Sequence, residues 1–211
     1  MTRKGSLIIV SGPSGAGKSA LVAEVLATMP GLSFSVSCTT RMPRGSERNG
    51  VEYHFVTKDE FESRIARNEF LEWAEVYGNY YGTESKFIED RLMEGRDVLL
   101  DIDVQGAKTL RQKRPDATTI FIMPPSYQIL RKRLESRRLD KQYVIEQRLK
   151  IARNEIVHFR NYEYIIVNDS LDLSVQELKA ILLGSRCRMA LRTDAAESII
   201  DTFGGMDDEN P

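Results

Sequence analysis

The sequence predicts an α/β protein built on a parallel sheet, and three observations carry that prediction. Short apolar runs at 7–10, 98–102, 119–123 and 164–167 have the length and composition of buried strands. Helical apolar patterns separate them, and such alternation marks parallel pairing. A glycine-rich loop, Gly12 to Ser19, directly follows the first run, and the carboxyl ends of strands are where parallel sheets take their ligands. At 211 residues the chain is one domain's worth, with ample length for a core and inserted regions.

Leu7-Ile8-Ile9-Val10 supplies the first strand. Gly12, Pro13, Ser14, Gly15, Ala16, Gly17, Lys18 and Ser19 then complete the pattern G-x-x-x-x-G-K-[ST]. The glycines let the backbone approach a phosphate closely, and its N–H groups form an anion nest. The helix expected over Ala20–Met29 adds its positive N-terminal end. Lys18 is placed to reach the β- and γ-phosphates, and the Ser19 hydroxyl to ligate Mg²⁺. ATP and Mg²⁺ are the cofactors implied, and the core is expected to be that of a P-loop NTPase.

Residues 34–82 interrupt the alternation with turns, aromatics and short β-like pieces such as Glu52–Val56. Within them Thr57-Lys-Asp-Glu60 is a capping box before a helix carrying Phe61 and Ile65. Gly95 stands where a C-cap ends a helix beginning at about residue 84. Val98-Leu-Leu-Asp-Ile-Asp103 is an apolar run ending in acids, as a metal-holding strand end requires. Asp101 joins Ser19 as the candidate metal pair, although spacing alone does not separate Asp101 from Asp103. The second interruption, 126–156, consists of two cationic helical segments: Arg131 to Arg153 hold nine Lys/Arg against three acids. Ser174-Val-Gln-Glu177 resembles a second capping box, opening a helix with Leu178, Ile181 and Leu182 on one face. From Thr193 to the end there are six acids and no base, and residues 191–211 are expected to be a helix end and a disordered acidic tail.

Charge and composition narrow the function. Thirty Lys+Arg against thirty-one Asp+Glu give a net charge of −1, so no nucleic-acid partner is expected. No apolar run reaches a membrane span, and Met-Thr-Arg-Lys-Gly-Ser leads straight into the first strand without a targeting segment. Cys38 and Cys187 have no metal-like spacing, which fits a reducing, cytoplasmic setting.

The combination of motifs resembles guanylate kinases over roughly residues 5–190. The motifs are Ser14-Gly-Ala-Gly-Lys-Ser19, Val36-Ser-Cys-Thr-Thr-Arg41, Arg44 with Glu47, Gly50–Phe55, Phe70-Leu-Glu-Trp-Ala74, Gly78-Asn-Tyr-Tyr-Gly82, Asp101-Ile-Asp-Val-Gln-Gly106 and Ile166-Val-Asn-Asp169. The resemblance implies Mg²⁺-dependent transfer of the ATP γ-phosphate to GMP. It divides the chain into a core (1–33, 84–125, 157–190), a GMP-binding region (34–83) and a lid (126–156). The partners implied are GMP, dGMP and ATP, with the oligomeric state left open.

Guanine offers N1–H and N2–H₂ donors, whereas adenine has an acceptor at N1, so a guanine pocket calls for a carboxylate and hydroxyls. The resemblance puts Glu72 there, beside Ser37 and Thr83; taken alone, Glu72 reads as an exposed helix-end acid. Arg41 and Arg44 suit the GMP phosphate through their planar forks, with Tyr53 and Tyr81 as phosphate-contacting hydroxyls and Glu47 orienting an arginine. Asp101 and Asp103 also fall on the GMP side. Tyr80 is expected to pack. Arg133, Arg137 and Arg148 match lid clamps, and with Lys18 and Arg41 they are the residues expected to carry catalysis. Asn168 and Asp169 match a loop bordering adenine.

Two departures from the family pattern are the order Gly45-Ser46-Glu47 and the pair Arg137-Arg138 where the lid commonly has Arg-Gly. The alternatives are a P-loop kinase acting on another phosphate acceptor such as a ribose bisphosphate, and a non-catalytic guanylate-kinase-like binding module. A switch GTPase would need an Asn-Lys-x-Asp motif, which the chain lacks.

Overall fold

The computed structural model describes residues 4–76, 78–136 and 142–203. In chain order the elements are β1 (Leu7–Ser11), α1 (Lys18–Thr28), β2 (Leu32–Phe34), β3 (Cys38–Thr39), β4 (His54–Phe55), α2 (Lys58–Ala66), β5 (Phe70–Val76), β6 (Asn79–Glu84) and α3 (Ser85–Met93). They continue with β7 (Asp97–Asp101), α4 (Val104–Lys113), β8 (Thr118–Met123), α5 (Tyr127–Ser136), α6 (Gln142–Ile156), β9 (Tyr164–Val167), α7 (Leu171–Ser185) and α8 (Thr193–Asp201).

Five strands form an all-parallel sheet in the order β2-β7-β1-β8-β9. Alternation along β1 sends Ile8 and Val10 to one face, where they pack with Leu21 and Val25 of α1 and Leu178 and Leu182 of α7. Leu7 and Ile9 go to the other face, with Ile88 of α3 and Leu110 of α4. Covered on both sides, β1 is buried throughout, which is why its sequence is apolar from Leu7 to Val10.

The outermost strand departs from expectation. Only Ile166 of β9 is buried, and Tyr164, Ile165 and Val167 are exposed. The strand lies at the sheet edge, and Ile166 alone joins the core cluster shared with α1 and α7.

A second, mixed sheet, β4-β3-β6-β5, occupies the first interruption. Its core is Cys38, Phe61 and Phe70, with the Phe61 ring stacked 4.4 Å from Phe70 and 5.3 Å from Tyr80, which packs as expected. The second interruption is the α5–α6 pair, with its own core of Leu130, Leu134, Ile145, Leu149 and Ala152.

Helix ends follow local chemistry with one correction. Thr57 caps α2 by accepting the Glu60 N–H at 3.2 Å, and Gly95 ends α3 at φ 75°. Ser174 is no cap. Helix α7 starts a turn earlier, after Ser170, and the Ser174 N–H already donates to the Ser170 carbonyl at 3.0 Å inside the helix. In the C-terminal segment Thr193–Asp201 forms a helix of its own, and residues 204–211 of the expected tail lie outside the described residues.

Candidate active site

Strand register assembles the site. Val10 pairs with Asp101 and Met123 with Val167, so the turn after β1, the end of β7 and Asn168 meet at the carboxyl edge of the sheet. A cleft of about 1040 Å³ opens there. Of the residues expected from sequence, Gly12, Ser14, Gly15, Gly17, Lys18, Ser19, Ser37, Arg41, Arg44, Glu47, Tyr53, Glu72, Tyr81, Asp101, Asp103 and Arg148 line it. Pro13, Ala16, Thr83, Arg133, Asn168 and Asp169 are not among its lining, and Arg137 lies outside the described residues.

On the phosphate-loop side, Lys18 Nζ donates to the Gly12 carbonyl at 2.7 Å and lies 3.9 Å from Asp101 Oδ1. Burial raises the pKa of Asp101, opposed by the Lys18 charge and a hydrogen bond from the Ser19 hydroxyl. Asp103 is engaged differently: its Oδ1 caps α4, accepting the N–H groups of Gln105 at 2.7 Å and Gly106 at 3.2 Å. Geometry thus separates two acids that spacing could not.

Asn168 and Arg133 brace the loop instead of lining the cleft. Asn168, 5% exposed, donates from Nδ2 to the Ala16 carbonyl at 2.8 Å. Arg133 donates to the Asn168 carbonyl at 2.8 Å and to the Ala16 carbonyl at 3.3 Å.

Across the cleft, Glu72 is 3% exposed. It sits on β5 and not at a helix end, and alternation with Phe70 and Ala74 turns it inward. Thr83 pairs with it across β5–β6 and donates its hydroxyl to Glu72 Oε1. Burial pushes the Glu72 carboxyl up to about 7; Thr83 and Lys113 lower it and the Asp103 charge adds to the rise.

Arg41, 9% exposed, forms a two-pronged pair with Glu47 at 2.9 and 3.0 Å and lies 5.2 Å from the Tyr53 ring centroid. Glu47 Oε2 also accepts the Arg44 N–H at 2.7 Å across a turn in which Gly45 has φ 54°. Burial works to raise Glu47, but the hydrogen bonds from Arg41 and the Arg44 N–H hold it below the usual carboxylate range. Burial pushes the Tyr53 hydroxyl up to about 12, with the Asp101 charge adding to it.

Sequence reasoning missed Asn79, Gln147 and Glu155, which also line the cleft. Glu155 carried a signal: it lies seven residues after Arg148, two turns along one helical face. Gly106 ends the Asp101–Gly106 motif, and a Cβ built on it would meet Glu72.

Comparison with known proteins gives the same family. The family model described as Guanylate kinase matches residues 4–184. The chain is 52% identical to the guanylate kinase of Koribacter versatilis over 187 residues, covering 87% of this chain and 80% of the relative. It is 47% identical to that of Symbiobacterium thermophilum over 209 residues, covering 98% of each. The crystal structure of guanylate kinase from Anaplasma phagocytophilum superposes with a TM-score of 0.80 at 33% identity, covering 95% of this chain and 96% of that one.

Proposed function

The chain belongs to the guanylate kinase family, and from that premise we propose how its cleft moves a phosphoryl group from ATP to GMP. Guanylate kinase activity follows from the family, and the enzyme is a nucleoside monophosphate kinase. The observation that carries the mechanism is one cleft lined by a complete phosphate loop and by the buried Glu72, which holds the Thr83 hydroxyl.

In this reading ATP lies with its phosphates in the Gly12–Ser19 nest, and Lys18 leaves the Gly12 carbonyl to meet the β- and γ-phosphates. GMP lies opposite, its N1–H and N2–H₂ donated to Glu72 with Ser37 and Thr83 alongside. Its phosphate meets Arg41, Arg44, Tyr53 and Tyr81. The two-pronged bond to Glu47 keeps the planar Arg41 fork aimed before substrate arrives. A GMP phosphate oxygen is already negative, so it attacks in line without a side-chain nucleophile, and Arg148 neutralises charge on the moving group. Arg133 acts on that group through the loop it braces, and Arg137 is the third lid candidate. Asn168 steadies the loop, with Asp169 beside it at the adenine border.

The donor set fits Mg²⁺. Ser19 and Asp101 offer adjacent oxygens, and a hard octahedral cation needs only one or two protein ligands beside phosphates and waters. Among the described residues no group of three or more His, Cys, Asp and Glu competes for a metal. When bound, the ion neutralises phosphate charge at the site of transfer.

The parallel sheet then serves as core, residues 34–83 as acceptor region and 126–156 as lid. No helix among the described residues is long and apolar enough to cross a membrane. Both cysteines are free thiols, in keeping with a reducing, cytoplasmic setting. The test is ADP formation from Mg·ATP with GMP, dGMP, AMP, CMP and UMP offered in turn. Turnover with the guanine nucleotides alone is expected; equal turnover with AMP would overturn the Glu72 pocket.

A further inference from the structure

The small sheet presents two faces. Ser37, Glu72 and Tyr81 line the cleft on one of them, and the Thr83 hydroxyl meets Glu72 there. Alternation sends neighbouring positions of β3 and β6 to the other face. Cys38 joins the core of Phe61 and Phe70, and a Cβ built on Gly82 would meet both rings. Cys38 pairs with Gly82, so Ser37 before it and Thr83 after Gly82 flank one cross-strand pair.

On that far face a single side chain, Arg64, grips all three segments. It lies in α2 three residues after the buried Phe61, on the same side of the helix. Its Nε donates to Glu69 Oε2 at 2.8 Å, Nη1 to Cys38 Sγ at 3.1 Å and Nη2 to Glu84 Oε1 at 2.5 Å. Its guanidinium also lies 4.9 Å from the Phe70 ring centroid. Glu69 stands just before β5, Cys38 opens β3 and Glu84 ends β6, so the three grips lie one to three residues from Glu72, Ser37 and Thr83. The Cys38 thiol closes the cluster by donating to Glu84 Oε1 at 3.4 Å. Burial pushes that thiol up to about 12, with the Arg64 charge opposing and the Glu84 charge adding, so it keeps the proton it donates. A rigid planar fork that spends its donors on three separate segments fixes their spacing, which a lysine's point charge cannot do.

We propose that Arg64 is a positioning residue for the acceptor: by holding Glu69, Cys38 and Glu84 behind the small sheet, it sets the spacing of Glu72, Ser37 and Thr83 in front and thereby the affinity for GMP. This rests on the reading of those three residues as the guanine-facing set.

The experiment compares R64M and R64K in the full chain by kcat, KM for GMP, ADP affinity and melting temperature, with R64M also in a Thr83→Val background. Methionine keeps apolar contact with Phe70 and loses all three bonds. R64M is expected to raise KM for GMP ~10-fold, the scale of a weakened hydrogen bond to a charged group, with kcat and ADP affinity within ~2-fold. R64K should recover less than half of that loss. In the Thr83→Val background R64M should cost less than ~3-fold, because both changes act on one pocket. Unchanged KM for GMP in R64M, full recovery by R64K, an equal loss of ADP affinity, or independent losses with Thr83→Val would each overturn the proposal. Should R64M melt below the assay temperature, E84Q decides: it loosens one grip and keeps the side chain's shape. It is expected to raise KM for GMP ~3-fold, and an unchanged KM overturns the proposal equally. Thr83→Val alone separates the two levels. If it leaves KM for GMP unchanged, the guanine-pocket reading fails; if it raises KM while R64M is neutral, only the role of Arg64 fails.

Discussion

A Cβ built on Gly106 would lie 2.5 Å from Oε2 of Glu72, so the first turn of α4 and the buried carboxylate meet across a gap that only glycine leaves. Glu72 is therefore held from two sides, by the Thr83 hydroxyl on β6 and by bare backbone on α4.

Gly106→Ala tests this contact. Alanine favours a helix interior by ~1 kcal/mol over glycine, so the melting temperature should hold while the carboxylate is displaced. KM for GMP is expected to rise ~10-fold or more, as for a weakened charged hydrogen bond, with ADP affinity unchanged. Unchanged KM in steady-state kinetics would refute the contact's importance.

The pH dependence of GMP binding should follow Glu72. Its folded carboxyl titrates at about 7 against an ordinary 4.5, so between those values the folded, ligand-free state holds more protons than the unfolded chain. Stability from this group therefore falls as pH rises through that window. Guanine donors favour the charged form, so KM for GMP should climb as pH drops below about 7, and binding there should release a proton. Calorimetry in buffers of different ionisation enthalpy measures that proton. Glu72→Gln should abolish the dependence and cost ~10²-fold or more in kcat/KM for GMP.

Glu47→Ala should act through Arg41. Arg41 is 9% exposed and loses its two-pronged partner, leaving a poorly solvated charge free to turn. KM for GMP is expected to rise ~10–100-fold while Mg·ATP binding is unaffected, readable by titrating each nucleotide separately.

Asn168→Ala removes the buried donor to the Ala16 carbonyl. A loss of ~1–3 kcal/mol is expected for the unpaired group, together with weaker ADP binding, since the phosphate loop loses its brace. Urea unfolding with and without ADP separates the two effects.

The sequence by itself determined the contiguous features. The Gly12–Ser19 motif is eight adjacent residues, and the central strands announce themselves because a strand buried on both faces carries an unbroken apolar run, Leu7–Val10 in β1 and Val98–Leu100 in β7. Thr57 and Gly95 act within one turn of their own positions, so they too were legible. What depended on distant pairing was decided by the tertiary structure. Glu72 looks like any surface acid until β5–β6 register sets it opposite Thr83 and α4 brings Gly106 against it. Asp101 and Asp103 are alike in sequence, and only the close approach of Lys18 and the start of α4 give them different partners. Asn168, 152 residues downstream of Ala16, reaches the Gly12–Ser19 loop because β9 pairs with β8. Edge position likewise exposed most of β9, and Ser174, capping in pattern, is enclosed by a helix that begins at Leu171. Local patterns specify backbone conformation, because its forces act over a few residues; which polar groups meet is set by packing between elements far apart in the chain.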